Sequence, residues 1–217
     1  MSASTMKDND TKPISGTFED STPLLAHPEE LRKRAQEDGF LYFRGLLDPS
    51  EVLAVREDII SVLDKHGLID RRYPLNDAIA NMETVNQYHP KQFAVGSVPS
   101  HIYKDIQKLQ SFHALSQTPK LMNVYNTLFG CETFPHPRNI ARVAVPHPEL
   151  LATPSHQDYT YIQGENNTWT CWLPLGDTPR QLGGLAVLKG SHREGLLAMY
   201  NQTGGYAKSG SILCGLD

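Results

Sequence analysis

The sequence predicts an α+β protein in which N-terminal helices pack on a barrel or jelly roll of short strands. Two observations predict this fold class. Apolar residues recur with helical spacing in the N-terminal part of the chain, up to about residue 130. From about residue 136 to 190, short apolar runs are broken by proline and glycine, which is typical of strands. The 217 residues include 39% apolar and 20% charged side chains, the balance of an ordinary globular protein.

The N-terminal helices are predicted from the residues that begin and end them. The segment "HPEELRKRAQEDG" has Pro28 in its first turn and Gly39 as a C-cap. The segment 48–67 is predicted to begin after Asp48, and the spacing of its apolar residues places one face in the core. The run "FLYFRGLL" between these two segments predicts a short strand. Two more helices are predicted, at about 101–115 and 118–129.

The remaining segments set the predicted domain boundaries. Residues 1–22 are polar and are predicted to form a disordered arm, so residues 23–217 form a single domain. Its helical part spans about 28–130 and its jelly-roll strands span about 136–217. The irregular segment 68–100 is long for a loop in a compact domain, which favours a lid or a pocket wall.

Charge and cysteine content argue against several classes of partner. The net charge is −4 and no basic run occurs, so we expect neither nucleic acid nor an anionic membrane as partner. The apolar stretches are too short to span a bilayer, and the N-terminus lacks the apolar region of a secretory signal. The three cysteines are widely spaced and form no CxxC motif. This usage predicts neither a disulfide framework nor a cysteine zinc site and favours a reduced, cytoplasmic compartment.

The tripeptide His156-Gln157-Asp158 is the candidate metal-binding motif. In a strand, residues i and i+2 point to the same face, so the imidazole of His156 and the carboxylate of Asp158 would project side by side. Such a pair supplies two ligands of the 2-His-1-carboxylate triad, which leaves open positions on Fe(II). An isolated HxD tripeptide is equally compatible with a surface histidine that is hydrogen-bonded to a carboxylate. The context of the motif must therefore decide.

Three segments follow one another in a characteristic order: "HQD" at 156–158, "WLPLGD" at 172–177 and "GLAVLKGSH" at 184–192. Together they resemble the phytanoyl-CoA dioxygenase family of Fe(II)/2-oxoglutarate oxygenases, in which an HxD strand precedes W-x-P-L/V-x-D and G-x-L-x-V-x-P-G-S-H. The segments "QEDGFLYFRGLLDPSEV" and "TPKLMNVYNTLFG" also resemble the family's opening and the helix before its barrel. The resemblance covers most of residues 28–197.

The resemblance implies a fold, an activity and a set of site residues. The strands would form a cupin-like double-stranded β-helix, and the activity would be that of an Fe(II)/2-oxoglutarate-dependent dioxygenase. With O₂, such an enzyme hydroxylates an unactivated C–H bond of a small organic molecule and releases succinate and CO₂. His156 and Asp158 would be the first two iron ligands. Trp172, Thr160 and Asn139 are candidates for the 2-oxoglutarate pocket, although Trp172 is equally compatible with a core position.

The chain departs from the family pattern beyond Asp158. The resemblance calls for a second histidine on a late strand and for a following arginine that binds 2-oxoglutarate. The only later histidine is His192 of the "GSH" turn, which we expect to be structural. The upstream His136 and His147 each lie in a "PHP" sequence, which is typical of a turn. The predicted jelly roll is therefore incomplete at its C-terminus.

Two explanations stay open on the sequence alone. The chain is a fragment of a longer oxygenase, or it is a shortened relative that serves as a non-catalytic, cupin-like binding or regulatory module. A zinc hydrolase that uses His156 and Asp158 is disfavoured, because the sequence lacks HExxH or another zinc signature. Metal-dependent consumption of 2-oxoglutarate would separate the oxygenase from both rivals.

Overall fold

The computed structural model describes residues 16–89, 92–93, 98–146, 153, 155–197, 199–202 and 211–214. Its α-helices are α1 (Pro28–Asp38), α2 (Pro49–Lys65), α3 (Met82–Val85), α4 (Ser100–Ile106), α5 (Gln110–Leu115), α6 (Pro119–Phe129) and α7 (Tyr159–Ile162). Short 3₁₀ helices span Thr22–Ala26, Leu75–Asp77, Arg180–Leu182 and Ser191–Glu194. The strands β1 (Met199–Gln202) and β2 (Ser211–Cys214) pair antiparallel, with Met199 opposite Cys214. Among the residues described here, no helix has both the length and the apolar composition needed to cross a bilayer.

Helices α1 and α2 begin and end as predicted. Helix α1 has Pro28 at its first position and ends at Gly39, whose φ of 78° is left-handed. Helix α2 follows Asp48, whose carboxylate accepts a hydrogen bond from the Ser50 amide at 2.8 Å. The chain leaves α2 through Gly67 at a φ of 72°. These cap residues bond the free amides and carbonyls that every helix end leaves.

The helical part contains one hydrophobic core. Helix α2 packs on α4 and α5, and α1 packs on α6. Val85, Val98, Ile102 and Ile106 are completely buried in or beside this core. Full burial of such a side chain contributes roughly 1.5–3 kcal/mol. Because Val85 and Val98 belong to the irregular segment 68–100, this segment is anchored by its own apolar side chains.

Two predicted elements of the helical part are wrong. Residues 40–47 form no strand, because Tyr42 makes only an isolated parallel bridge with Asp20. The predicted helix over 101–115 is two helices, α4 and α5, separated at Leu109, whose backbone is extended. This break lets Ile106 and Leu115, on either side of it, both reach the core.

The N-terminal arm becomes ordered before its predicted end at residue 22. Residues 1–15 lie outside the described residues. The ring of Phe18 packs edge-on against Phe40 with centroids 5.1 Å apart. Ser21 is buried, and its amide donates to the Tyr42 carbonyl at 2.6 Å.

The segment that carries the predicted jelly-roll strands has little regular structure where it is described. Residues 131–146 and 163–179 contain no strand, and β1 and β2 are the strands of the described chain. The strand predicted across 153–163 is wrong at residues 159–162, which form α7. The amides of Tyr161 and Ile162 both donate to the Asp158 carbonyl, at 2.9 and 3.0 Å. Local bonds replace a strand partner here, and the jelly roll itself stays a prediction.

Candidate metal centre

The structure brings the two predicted iron ligands into contact. His156 Nε2 lies 3.1 Å from Asp158 Oδ1, and the side chains are 29% and 45% exposed. Asp158 immediately precedes α7, so the pair lies at the beginning of a helical turn and not in the predicted strand. The two side chains lie side by side, as predicted, but a helical turn and not the alternation of a strand brings them together.

The carboxylate of Asp158 is held in its ionised form by its neighbours. The hydrogen bond with His156 is the largest of the effects that lower its pKa below the usual range, and the Thr170 hydroxyl adds to it. The positive charge of Arg142 acts in the same direction, whereas partial burial opposes it. An ionised carboxylate beside an imidazole is a suitable donor pair for a divalent cation.

Two arginines from the stretch before the motif bond to residues on either side of it. Arg138 Nη1 donates to the Tyr161 carbonyl at 2.8 Å, and Arg142 Nη1 donates to Thr153 Oγ1 at 2.9 Å. The ring of Tyr161 packs edge-on against the imidazole of His156, with centroids 5.7 Å apart. The motif is therefore bound to residues 138–142 on one side and to its own helical turn on the other.

Sequence reasoning missed Thr170 and the two arginines. Thr170 is two residues before Trp172, so it would share a face with the tryptophan in the predicted strand. Arg138 and Arg142 are spaced by four residues in "RNIARVAV", which would place them on one face of the predicted strand. Two arginines on the predicted strand before the HxD motif were therefore the signal that could have identified them.

The predicted cofactor residues lie in three different settings. Thr160 lies within α7, two residues beyond Asp158, and Trp172 is 46% exposed. Asn139 is bonded to the helical part: its Nδ2 lies 3.1 Å from His113 Nδ1, and its carbonyl accepts from Gln107 Nε2 at 3.1 Å. His113 Nε2 is 2.9 Å from the Gln107 carbonyl, so this nitrogen carries the proton and Nδ1 accepts from Asn139. The role of these residues in a 2-oxoglutarate pocket stays a prediction.

The other histidines considered from the sequence have separate positions. His192 bonds through Nε2 to the Gln36 carbonyl at 2.9 Å, which fits the structural role expected for it. His136 Nδ1 accepts from the Arg138 amide at 3.1 Å, as in a local turn. His147 lies outside the described residues.

The donor pair fits a divalent cation in the type of its atoms. The 3.1 Å between His156 Nε2 and Asp158 Oδ1 is a hydrogen-bond distance, and a bound ion would take the place of the shared proton. Within the described part of the chain, no group of three histidine, cysteine or acidic side chains is placed to hold a metal. The described residues thus provide two donors that fit Fe(II).

The described chain combines a helical part with a histidine–aspartate contact that is a candidate for metal binding. The sequence model of the phytanoyl-CoA dioxygenase (PhyH) family matches residues 35–204, and the chain belongs to this family. It is 29% identical over 182 residues to the 1-deoxypentalenic acid 11-beta-hydroxylase of Streptomyces arenae and 30% identical over 183 residues to that of Streptomyces exfoliatus. Each alignment covers 82% of this chain, and the chain spans 59% of the length of each relative.

Proposed function

We propose that the protein is an Fe(II)- and 2-oxoglutarate-dependent dioxygenase that hydroxylates an unactivated C–H bond of a small organic molecule, with succinate and CO₂ as co-products. The observation that carries this proposal is the contact between His156 and Asp158 inside the segment matched by the family. The two relatives are named as hydroxylases of 1-deoxypentalenic acid, which supports a small-molecule substrate.

His156 and Asp158 would hold the metal, and bound Fe(II) with 2-oxoglutarate supplies the activation of O₂. The residues around them prepare the two donors. The lowered pKa of Asp158 keeps its carboxylate ionised, and the ring of Tyr161 covers one side of the imidazole. The Arg138 bond to the Tyr161 carbonyl fixes the turn on which both donors stand.

A second candidate function is a metal-free, cupin-like binding or regulatory module. It is favoured by one observation: the described residues supply two metal donors and no third. In such a module, His156 and Asp158 would serve only as an ion pair at the beginning of α7.

Succinate release tests the proposal directly. The chain is incubated with 2-oxoglutarate, ascorbate and O₂, with Fe(II) or with a chelator, and succinate is quantified. We expect Fe(II)-dependent succinate that falls at least about 100-fold in His156→Ala and in Asp158→Ala, because each variant removes a metal ligand. The matched control is His136→Ala, which removes a histidine of a neighbouring turn and should keep the wild-type rate.

The two candidate functions predict different results. If the wild-type chain releases no succinate above the chelated sample, or if Asp158→Ala releases as much as wild type, the oxygenase proposal is wrong for this chain. Binding of 2-oxoglutarate without turnover and without dependence on Fe(II) would then support the binding module.

A further inference from the structure

The turn from Gly190 to Glu194 caps the C-terminal end of α1. Three donors of the turn bond three consecutive carbonyls of the last helical turn, which have no partner within the helix. The pairs are the Gly190 amide with the Asp38 carbonyl at 2.9 Å, His192 Nε2 with the Gln36 carbonyl at 2.9 Å, and Arg193 Nη2 with the Glu37 carbonyl at 2.6 Å. The positive charge of Arg193 is also favourable at a helix C-terminus. The turn is therefore bonded to a rigid element of the helical part.

Gly39 leaves the space that the imidazole of His192 occupies in this contact. It has a φ of 78°, and a Cβ on this residue would overlap the imidazole of His192. A second contact strengthens the junction, because Lys189 Nζ lies 2.8 Å from the buried carboxylate of Asp38. The end of α1 therefore contacts the turn through the space beside Gly39 and through the Asp38–Lys189 ion pair.

The other side of the same turn is held by the middle residue of the metal-binding motif. Gln157 Nε2 donates to the Gly195 carbonyl at 2.8 Å, and Gln157 Oε1 accepts from the Leu197 amide at 3.0 Å. One side-chain amide thus makes the two bonds that a neighbouring strand would make with its backbone. The neighbours of Gln157 in the chain are His156 and Asp158.

We propose that Gln157 is a positioning residue that fixes the His156–Asp158 pair relative to α1 through the turn 190–197. The chain of contacts runs from the end of α1 to the turn, from the turn to Gln157, and from Gln157 to the two donors beside it. The role of the pair as metal donors rests on the proposed function, whereas the tether is a property of the folded chain.

Amide hydrogen exchange on the full chain tests the tether. In Gln157→Ala we expect peptides covering 155–164 and 195–197 to exchange about tenfold faster, because both bonds of the side-chain amide are lost. Peptides of α2 should keep their wild-type rate. The matched control is Gln181→Ala, an exposed glutamine of the Arg180–Leu182 helix, which should leave all these rates unchanged.

Two further variants separate positioning from general stability. Gln157→Glu keeps the acceptor for the Leu197 amide and loses the donor to Gly195, so protection at Leu197 should be retained while that of 155–164 falls. His192→Ala should accelerate exchange at 155–164 in the wild-type background and add nothing further in Gln157→Ala. The Hε1 resonance of His156 should shift in Gln157→Ala and stay in place in Gln181→Ala.

The result that overturns the tether is wild-type exchange at 155–164 in Gln157→Ala, or equal acceleration in α2. Neither measurement needs metal or turnover. Absence of succinate in the assay above would refute the proposed function and leave the tether standing. Wild-type exchange at 155–164 in Gln157→Ala, together with succinate release by the wild-type chain, would refute the tether and leave the proposed function standing.

Discussion

The helices up to residue 129 and the described residues of 131–197 differ in how far they bury their apolar side chains. In the helical part, Ile102 and Ile106 are completely buried. In the later segment, Leu182 is 71% exposed and Leu188 is 62% exposed. The hydrophobic effect therefore stabilises mainly the first region. The second region adds Ala141 to the same core, packs Val143, Val145, Leu173 and Leu175 against it, and is also joined to the helices by polar contacts.

Those polar contacts also explain where the candidate metal centre lies. Arg138, Gln157 and His192 each bond a backbone carbonyl of another segment. A network of this kind fixes the direction of the chain at a few points and leaves the surface between them exposed. Its individual bonds contribute about 0.5–1.5 kcal/mol each, much less than the burial of an aliphatic core.

The two regions should differ most in the free energy of unfolding that is lost when an apolar side chain is truncated. Ile102→Ala removes a fully buried side chain and should lower the free energy of unfolding by about 2–5 kcal/mol. Leu182→Ala, the matched control in the exposed segment, should change it by less than about 0.5 kcal/mol. Urea unfolding followed by circular dichroism measures both. Equal losses in the two variants would contradict the difference in burial between Ile102 and Leu182.

The helical part was predictable because its signals are local. Proline at the first position and glycine after the last residue mark α1 and α6, and both helices occur at the predicted places. The break at Leu109 was not predictable, because it depends on which side chains of α4 and α5 reach the core. Composition and periodicity contain no information on that choice.

A substitution at the junction of the two regions should have the second largest effect. Gly39→Ala and Gly130→Ala both place a side chain at a left-handed helix end, with φ of 78° and 71°. Gly130 has open space around it, so its replacement should cost only about 1 kcal/mol of backbone strain. Gly39→Ala should cost about 2–3 kcal/mol, because the new Cβ also displaces His192 from the end of α1.

Thermal unfolding and amide exchange distinguish the two parts of that cost. Gly39→Ala should accelerate exchange at 190–195, and Gly130→Ala should not. If both variants lose the same stability and keep the same exchange, His192 does not couple the regions.

The contact between His156 and Asp158 was predicted, its geometry was not, and the role of the pair as metal ligands stays a prediction. The tripeptide identified His156 and Asp158, and the structure places them in contact. Their setting in a helical turn and the tether through Gln157 depend on contacts across 38 residues of sequence, which no local pattern contains. Asn139 shows the same limit, because its amide contacts His113, which lies 26 residues earlier in the chain.

The smallest expected effect is at the beginning of two helices within the stable region. Helices α2 and α6 both start with proline, but only the side chain of Asp48 caps its helix, whereas Thr118 makes no cap bond. Asp48→Ala should lower the melting temperature by about 2–4 °C. Thr118→Ala should leave it within about 1 °C, since no cap bond is lost.

The pH dependence of this difference identifies the cap as a charge-assisted one. Hydrogen bonds from the Ser50 hydroxyl and amide hold the pKa of Asp48 below its ordinary value of 3.8. A carboxyl whose pKa is lowered on folding contributes stability that is complete above the ordinary pKa and is lost as the pH falls through the lowered value. The gap in melting temperature between wild type and Asp48→Ala should therefore be constant from pH 7 to 5 and shrink below about pH 4. Asp48→Asn keeps a hydrogen-bond acceptor but has no titrating group. The difference in melting temperature between Asp48→Asn and Asp48→Ala should therefore persist in acid. If this difference shrinks as much as that between wild type and Asp48→Ala, other carboxylates cause the loss.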